Sequence, residues 1–522
     1  MRMISSIYQS RWLEVIWSAL WIISLVVLIA SHVAWPIGGD QGLYLYGAKE
    51  LADGATLYKD FWDLKSPGVY LFYLAAGSIF GFGSVGLHLA EGVWLGLAAW
   101  FAFLIARQST SNAWIAHIAP LVTVGAYFRA ATPWHLTQPD GLATLPLVIS
   151  AWALCNQSRT GRLPAWRFVL LGACAGIAAI FVTAMLFVVV GLLLVLVAYT
   201  RFAGTSATLR SGVRNLFATL AGFAVPIGIL LIWFLHEGGS QEGLWTMLLY
   251  PVAARDVSEF QSEKLIHSVT WFASVSMPLL PVVAVAVLTT SQAVIQRHAK
   301  AWPGLMMLAW MLFGGMAVLL QYSYSWEFHF NSFFVPLGIL AVIGIDEVVR
   351  QLRNGAAVAV CGAMLLVTMS FPILVLVKVV GASSFKDEMR EYERSAQMGL
   401  TEALPEDSVY VFGDPRLLLA SGRKQAVAHN GWALEVMVNQ QWATFSSALR
   451  AAKPPSLYVG ASYRSLLERK APEIKMWIDA NYDVVFRDGF DGTWYRQRVK
   501  VDSQAVPGTR PTDLPNDGGG RK

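Results

Sequence analysis

Long apolar runs constrain this chain more than any other feature of its sequence. A run of about 20 apolar residues is long enough to cross the hydrocarbon core of a bilayer. Only 14% of the residues are charged, against about 25% in a typical soluble domain. We therefore predict a polytopic α-helical membrane protein with about eleven transmembrane helices, at residues 13–35, 84–106, 113–130, 139–157, 166–181, 183–200, 213–235, 266–289, 303–321, 330–347 and 355–377.

The bulk numbers exclude several classes of protein. The first run is too long for the apolar core of a cleavable signal and lacks a small-residue cleavage site, so we expect a retained anchor. The net charge of +5 does not indicate nucleic acid, because membrane proteins distribute Lys and Arg asymmetrically. We expect membrane lipids as partners and no nucleic acid. The three cysteines lie in or beside apolar runs, which predicts no disulfide framework.

The charges between the runs predict the orientation of the chain. Basic loops favour the cytoplasm, which places the N-terminus there together with Arg107, Arg159, Arg162, Arg167, Arg201, Arg210, Arg214, Arg297, Lys300, Arg350 and Arg353. The acidic or mixed loops then face outward, with Asp140, Glu237, Glu242, Asp256, Glu259, Glu263 and Glu327. We predict a multi-pass membrane protein with its N-terminus in the cytoplasm.

The number of membrane crossings predicts that residues 67–82 do not cross the membrane. The loop at 38–68 leaves the first span on the outer face, and the span at 84–106 must start on that face to deliver Arg107 inside. An interfacial or re-entrant helix therefore fits residues 67–82, which are short for a span. For residues 166–200 the sequence allows either one long helix or two.

The chain changes character after residue 378. Strand patterns at 408–414, 455–460, 482–488 and 493–498 alternate with helical patterns, and residues 384–403 read as an exposed charged helix. We predict a transmembrane catalytic domain at 1–378, with an outer loop at 36–83. A small α/β domain follows on the non-cytoplasmic side at 379–500, with a disordered tail at 501–522.

The outer loop at 38–68 is the first candidate for a functional site. Charge beside a bilayer is costly unless it is solvated or used, so a charged cluster there is a functional-site hypothesis by default. The alternative is a polar loop with an aromatic interfacial belt. The cluster comprises the carboxylates Asp40, Glu50, Asp53, Asp60 and Asp63, the lysines Lys49, Lys59 and Lys65, and the aromatics Tyr44, Tyr46, Tyr58, Phe61 and Trp62.

Other polar residues near the spans have both a structural and a functional interpretation. Asp40 and Asp140 could each be a helix N-cap, and Lys65 could extend along apolar surface to water. His88 and Glu91 share a helix face, where they either satisfy each other or reach a polar cavity. Glu327 and His329 lie at an outer boundary, where polar belts are common. Residues 81–86 match GxGxxG, but without a soluble βαβ unit we predict only a glycine-rich turn.

The residues of the loop carry a family resemblance. An apolar span, Asp40 and then YKDFWDLKSPG resemble the first outer loop of bacterial GT-C glycosyltransferases, such as the dolichyl-phosphate-mannose protein mannosyltransferases and the lipid A aminoarabinose transferase. Gln138-Pro139-Asp140 resembles a later acidic element of the family, residues 326–336 its His-Tyr-Phe…Pro span, and residues 409–498 its outer domain. Departures from the pattern are Gln41 for a frequent Glu, Ser66 for Pro, His88 for Arg, and residues 181–183, which lack a frequent Lys.

The resemblance implies a GT-C hexosyl- or pentosyltransferase of the bacterial inner membrane that takes a sugar from a polyprenyl-phosphate donor. The acceptor is a hydroxyl of a lipid, polysaccharide or protein. A carboxylate suits deprotonation of the acceptor, which we assign to Asp40. Cations suit the phosphate, which we assign to Lys65, with Arg129 and Arg255 as weaker candidates. Further site candidates are Asp63, Asp140, His88, Glu91, Glu327 and His329.

One base and one displacement predict inversion at the sugar. The sequence is compatible with a divalent metal but requires none. The competing function is a transporter or flippase of lipid-linked saccharides, which would more often show inverted repeats and interrupted helices. A scaffolding membrane protein would not need the cluster of Asp40 and Lys65.

Overall fold

The computed structural model describes residues 11–155, 163–202, 209–254, 262–296, 301–321, 326–352, 383–401, 403–404 and 407–498. Short 3-10 segments lie at Ala113–Ile118, Thr183–Met185, Met277–Leu279 and Glu327–Phe333, with a π-helical turn at Trp245–Leu249. The α-helices of the first part are α1 (Arg11–Val33), α2 (Gly39–Ala52), α3 (Pro67–Phe80), α4 (Ser84–Ser109), α5 (Ala119–Val122), α6 (Val124–Ala130), α7 (Pro139–Leu142), α8 (Thr144–Cys155), α9 (Ala165–Phe181), α10 (Leu186–Phe202), α11 (Leu209–Glu237), α12 (Ser240–Leu244), α13 (Tyr250–Ala253), α14 (Ser262–Ser276), α15 (Leu280–Ile295), α16 (Ala301–Leu320) and α17 (Phe334–Gln351).

Six helical segments among the described residues are long and apolar enough to cross a membrane. Each coincides with one of the predicted spans. Four further apolar helices are shorter, and the predicted span at 355–377 lies outside the described residues. The structure therefore has the predicted long apolar helices, and the total of eleven spans stays a prediction. The six segments are Glu14–Val33, Ser84–Ser109, Arg210–Glu237, Ser262–Ile295, Ala301–Leu320 and Glu327–Gln351.

Helices α1 and α4 are antiparallel neighbours. Glu14, near the start of α1, pairs with Arg107 near the end of α4 (3.7 Å). At the opposite end, His88 of α4 contacts the carbonyl of Val33, the last residue of α1 (3.5 Å). The segment between them therefore leaves and re-enters the bundle at the same end. Helix α3 has 14 residues, or about 21 Å of length, and Gly81 (φ 96°) turns the chain into α4.

The structure separates the two predicted runs at 166–181 and 183–200 and interrupts the run at 113–130. Val182 is extended (φ −148°, ψ 106°) and separates α9 from α10, so residues 166–200 form two helices. The run at 113–130 consists of a 3-10 turn, α5 and α6, with a break at Thr123 (φ −102°, ψ −90°). The Thr123 hydroxyl donates to the carbonyl of Ala119 (2.6 Å), a local bond that competes with regular helix geometry.

The second part of the chain contains the small sheet that its alternating strand patterns predict. Its four strands are in the order β1-β2-β4-β3, with β1 parallel to β2 and the other two pairs antiparallel. In chain order its elements are α18 (Ser383–Gly399), β1 (Val409–Phe412), α19 (Pro415–Ser421), a 3-10 turn (Trp432–Glu435), α20 (Asn439–Ala452), β2 (Ser456–Val459), α21 (Ala461–Lys470), α22 (Pro472–Asn481), β3 (Tyr482–Arg487) and β4 (Thr493–Gln497).

Helix α18 is less exposed than its charged sequence suggests. Tyr392, Ser395 and Ala396 are buried on one face. The Ser395 hydroxyl donates to Asp488 (2.7 Å) and accepts from the Trp494 indole (2.9 Å). The helix is therefore amphipathic and packs on the sheet.

The α/β part docks onto the loop at 53–66 and onto α2. The Trp62 backbone N–H donates to the carbonyl of Ala428 (2.8 Å), and Asn430 donates to the carbonyl of Trp62 (2.9 Å). The Tyr46 hydroxyl accepts from the backbone of Gln425 (2.7 Å). These bonds place the α/β part on the same face of the bundle as the loop.

Candidate active site

Asp40 lies in the first turn of α2, directly beside the outer loop. The N-cap of this helix is Gly38, so the alternative in which Asp40 serves only as a cap is wrong. The capping bond runs instead from the Gly38 N–H to the Gln41 side-chain oxygen (3.1 Å). The Asp40 side chain is half-buried, so it is both sheltered and accessible.

Two hydrogen bonds hold the backbone of Lys65 in the loop. Its backbone N–H donates to the Asp63 carboxylate (3.3 Å), and its carbonyl accepts from the Tyr58 hydroxyl (2.7 Å). Its ammonium lies 5.6 Å from the ring centroid of Phe328. Among the described residues no carboxylate comes within ion-pair distance of this ammonium, so the charge is available to an anionic ligand.

Asp40 and Lys65 lie close enough to interact electrostatically. Burial raises the pKa of the Asp40 carboxyl, and Lys65 is the strongest influence that lowers it. Asp63 and Asp414 raise this pKa, while a hydrogen bond from Gln138 lowers it. A carboxylate whose pKa lies above the ordinary range is a better proton acceptor than a free aspartate.

Asp63 is buried and holds the loop through hydrogen bonds. It is 2% exposed and accepts from the Tyr70 hydroxyl (2.7 Å) as well as from the Lys65 backbone. Asp63 is the one carboxylate of the 38–68 loop, among the described residues, that influences the pKa of Asp40. Its own bonds are those of a residue that positions Lys65.

A second acidic site combines Asp140 with His329. The Asp140 carboxylate and His329 Nδ1 are 3.2 Å apart, and both side chains are buried. The N-cap of α7 is Gln138, so Asp140 does not cap its helix either. Its second oxygen, Oδ1, has no hydrogen-bond partner within the described part of the chain.

His88 and Glu91 do not satisfy each other. Glu91 accepts from the Tyr127 hydroxyl and from the Thr137 backbone N–H (2.7 Å). It therefore anchors the 131–138 loop, which leads into Asp140. His88 instead contacts the carbonyl of Val33. The alternative in which the two side chains satisfy each other is therefore wrong, and Glu91 supports the loop.

The 3-10 turn at Glu327–Phe333 supplies side chains that contact Lys65, Asp140 and His267. Phe328 lies under Lys65, and His329 contacts Asp140. Glu327 pairs with His267 (2.9 Å) at a cleft of about 200 Å³ that also includes Glu263, Lys264, Ser268 and Trp326. Glu327 is thus engaged at this cleft.

The two weaker arginine candidates have different outcomes. Arg129 donates from Nη2 to the carbonyl of Val275 (2.6 Å), which places it near the end of α14. Its role at a phosphate stays a prediction. Arg255 lies outside the described residues.

Gln41, which departs from the family pattern, has a structural use. It is fully buried, and its amide donates to the carbonyls of Pro133 (2.9 Å) and Leu136 (2.7 Å). A carboxylate has no proton to donate when ionised. In the part of the chain that the structure describes, no three His, Cys, Asp or Glu side chains form a group suited to a metal.

The α/β part forms a wall of the site, which sequence reasoning did not find. A Cβ on Gly39 would overlap the rings of Trp134 and Trp432, and a Cβ on Gly42 would overlap Arg416. Arg416 is ion-paired with Asp414 (2.7 Å) and Glu388 (3.0 Å). Because Asp414 also raises the pKa of Asp40, the wall acts electrostatically on the site.

Sequence analysis gave Tyr44 and Gln138 no role of their own, although both lie near Asp40. Tyr44 follows Asp40 by one helical turn and therefore shares its face, a signal that was available. Gln138 directly precedes Pro139 and Asp140, but nothing in the sequence indicates its bond to Asp40. Only the packing of α2 against the 131–138 loop brings these residues together.

The spanning helices, the outer loop with Asp40 and Lys65, and the docked α/β part together form a fold that other solved structures share. Two solved structures that resemble the chain are both of ArnT from Cupriavidus metallidurans. With undecaprenyl phosphate bound, ArnT is 15% identical, with a TM-score of 0.59, covering 94% of this chain and 99% of that one. In the apo state, ArnT is 14% identical, with a TM-score of 0.60, covering 92% of this chain and 97% of that one. No protein-family model and no curated protein matches the chain. The likeness shows the fold, and the predicted resemblance to the aminoarabinose transferase is confirmed at the level of the fold.

Proposed function

We propose that this protein is an integral membrane glycosyltransferase that moves a sugar from a polyprenyl-phosphate donor to a hydroxyl acceptor on the outer face. The observation that carries the proposal is the convergence of Asp40, a half-buried carboxylate, with Lys65, an ammonium without an ion-pair partner among the described residues. The ArnT structure that shares the fold holds undecaprenyl phosphate, which supports a lipid of this class as the donor.

The reaction requires one base and one cationic group. The carboxylate of Asp40 accepts the proton of the acceptor hydroxyl while its oxygen attacks the anomeric carbon. The bond from that carbon to the phosphate oxygen breaks, and the lipid phosphate leaves with the electron pair. Lys65 stabilises the charge that develops on this phosphate. A single displacement gives inversion at the sugar.

Replacement of Asp40 by Asn tests the base. Asn retains the size of the side chain, and the Gly38 cap does not depend on Asp40, so the variant should fold normally. Loss of a general base typically lowers the rate by about 10²–10⁴, or about 3–5 kcal/mol of barrier. We expect normal donor binding and very low turnover in the purified enzyme. Near-normal turnover of Asp40→Asn would contradict the assignment.

Replacement of Lys65 by Ala tests the phosphate site. This variant should lose donor affinity as well as turnover, because the phosphate is charged before the reaction too. Since Lys65 lowers the pKa of Asp40, the acidic limb of the pH–rate profile should also move to higher pH. Lys59, which is exposed in the same loop, is the matched control, and Lys59→Ala should change neither property. An unchanged donor affinity in Lys65→Ala would exclude the phosphate role.

A further inference from the structure

A cleft of about 200 Å³ opens between α14 and the start of the Glu327–Phe333 turn. None of the side chains that line it takes part in the chemistry proposed for Asp40 and Lys65, so the cleft is a second site. Its walls are formed by Glu263, Lys264, His267, Ser268, Trp326 and Glu327.

The cleft lies where two apolar helical segments begin. Ser262–Ile295 and Glu327–Gln351 are both long and apolar enough to cross a membrane, and the residues of the cleft lie at or just before their first turns. Phe328, in the same turn as Glu327, is 5.6 Å from the ammonium of Lys65, so this end of the bundle is the one that carries the outer loop. Because polar and aromatic residues at the start of a span lie among the lipid head groups, the cleft is at head-group level.

Two side-chain pairs connect the opposite walls of the cleft. The Lys264 ammonium lies 4.5 Å from the ring centroid of Trp326, and His267 Nε2 lies 2.9 Å from Oε1 of Glu327. Lys264 and His267 are three residues apart and therefore share one face of α14. This face of the helix thus presents its charged groups to the turn.

The walls are held together below the cleft, while its polar groups are open to a ligand. Phe272 of α14 stacks on Phe330 of the turn, with ring centroids 5.1 Å apart and planes inclined by 20°. Trp326 is 42% exposed, and the side chain of His267 is 73% exposed. A ligand can therefore reach both pairs without a rearrangement of the helices.

The charges of the cleft favour a ligand that carries both signs. Glu263 and Glu327 supply two carboxylates, and Lys264 supplies an ammonium. A purely anionic ligand is repelled by the carboxylates and a purely cationic one by Lys264. An ammonium donates strong hydrogen bonds to a carboxylate, and a phosphate accepts them from an ammonium. A group with one phosphate and one ammonium therefore finds a partner for each.

The size and the surroundings of the cleft favour a lipid over a dissolved molecule. Sites for drug-sized ligands enclose about 300–1,000 Å³, so a cleft of about 200 Å³ suits a small group such as a lipid head group. On the same turns of α14, Ile266 and Val269 are 64% and 47% exposed. They belong to the apolar segment Ser262–Ile295, whose surface suits the acyl chains of a lipid.

We infer that this cleft binds the head group of a zwitterionic phospholipid that carries a phosphate and a primary ammonium, as phosphatidylethanolamine does. The phosphate lies at Lys264, and the ammonium lies at Glu327. The bound lipid joins α14 to the turn whose next residues, Phe328 and His329, contact Lys65 and Asp140. This binding does not require the proposed transferase activity.

Native mass spectrometry of the purified, delipidated full-length protein measures the binding. The protein is titrated with phosphatidylethanolamine and phosphatidylglycerol of the same acyl chains, and with free phosphoethanolamine. The ethanolamine lipid should bind at least tenfold more tightly than either of the others. Phosphatidylglycerol lacks the ammonium, and free phosphoethanolamine lacks the chains.

Lys264→Met and Glu327→Gln should each remove most of this preference, because each deletes one charge and keeps a side chain of similar size. The matched controls are Lys470→Met and Glu468→Gln, whose residues are exposed on α21, and both should keep the preference. Both cleft residues are partly exposed, and such ion pairs add little to stability. The melting temperatures of the two cleft variants without lipid should therefore stay close to that of the unmodified protein.

Two lysines separate this site from that of the donor. Lys65→Ala should weaken the binding of undecaprenyl phosphate and leave that of phosphatidylethanolamine unchanged, and Lys264→Met should do the reverse. Loss of phosphatidylethanolamine binding in Lys65→Ala would overturn the inference, because the lipid would then occupy the donor site. If undecaprenyl phosphate does not bind while the ethanolamine lipid follows the expected pattern, the proposed function fails and this inference stands.

Three further results would overturn the inference. One is equal binding of the two phospholipids, and another is free phosphoethanolamine that binds as tightly as the lipid. The third is a full preference for the ethanolamine lipid in both cleft variants, since the pairs in the cleft would then serve only each other.

Discussion

Gln41 shows at the residue scale why one amide is used where related proteins often have a carboxylate. Its side-chain oxygen accepts from Gly38, and its amide donates to two carbonyls of the 131–138 loop. The same side chain thus caps α2 and fastens the loop that carries Gln138. Both site elements depend on its having donors as well as an acceptor.

Replacement of Gln41 by Glu should therefore destabilise the protein. The variant leaves two buried carbonyls without their donor, at a cost of about 1–3 kcal/mol each, and an ionised carboxylate would face both of them. Gln441→Glu is the matched control, since Gln441 caps α20 through its oxygen in the same way (3.1 Å). A carboxylate near a helix N-terminus is favourable, so this control should be neutral or stabilising. Thermal unfolding of both variants checks the prediction, and an equally stable Gln41→Glu would contradict it.

At the scale of elements, Arg416 on α19 joins the α/β part to α2. It is 1% exposed, packs on Gly42 and lies 5.1 Å from the ring of Trp134. Its ion pairs with Asp414 and Glu388 neutralise two carboxylates at the edge of the site. The docked part therefore contributes to the surroundings of the site.

Arg416→Met should detach this wall. Removal of one partner of a buried ion pair typically costs about 3–5 kcal/mol, and the uncompensated charge of Asp414 should raise the pKa of Asp40 further. We expect a lower melting temperature and an acidic limb of the pH–rate profile at higher pH. In the control Arg390→Met, the lost pair with Asp387 is exposed and worth about 0–1 kcal/mol. An unchanged pH profile in a folded Arg416→Met variant would show that the wall acts only mechanically.

At the scale of the whole molecule, hydrogen bonds and ion pairs show which loops lie at each end of the helix bundle. The outer loop and the α/β part lie at one end because Trp62 bonds to residues 428 and 430. Asp346 of α17 accepts from the backbones of Ser111 and Asn112 just after α4 (2.8 and 3.1 Å), at the end where Glu14 meets Arg107. The charge rule assigns this second end to the cytoplasm.

Single cysteines should reveal this arrangement in intact cells. In a background without the three native cysteines, Cys at the exposed positions Lys59 and Glu468 should react with a membrane-impermeant thiol reagent. Cys at the exposed positions Gln108 and Gln351 should react only after the cells are opened. The opposite labelling pattern would show that the orientation is reversed. Its clearest sign would be a cysteine at position 108 that reacts in intact cells while a cysteine at position 468 does not.

The sequence by itself determined the features whose causes are local. Each span is visible because about 20 consecutive apolar residues carry the membrane signal themselves. The strands β1 to β4 are visible from their alternating patterns, and Asp40 and Lys65 share one short loop. The sequence left an N-cap open as an alternative for Asp40 and Asp140, since an aspartate before an apolar run is compatible both with the cap and with the first helical turn, where the structure places them.

Only the tertiary structure decided what surrounds that loop. His329 meets Asp140 across 189 residues of sequence, Glu91 holds the backbone of Thr137, and Arg416 reaches α2 from the far end of the chain. Such contacts depend on which faces of the helices pack together, and no local pattern encodes that choice. The cleft between α14 and the Glu327–Phe333 turn became visible for the same reason, because its two walls are distant in the sequence and meet only in the fold.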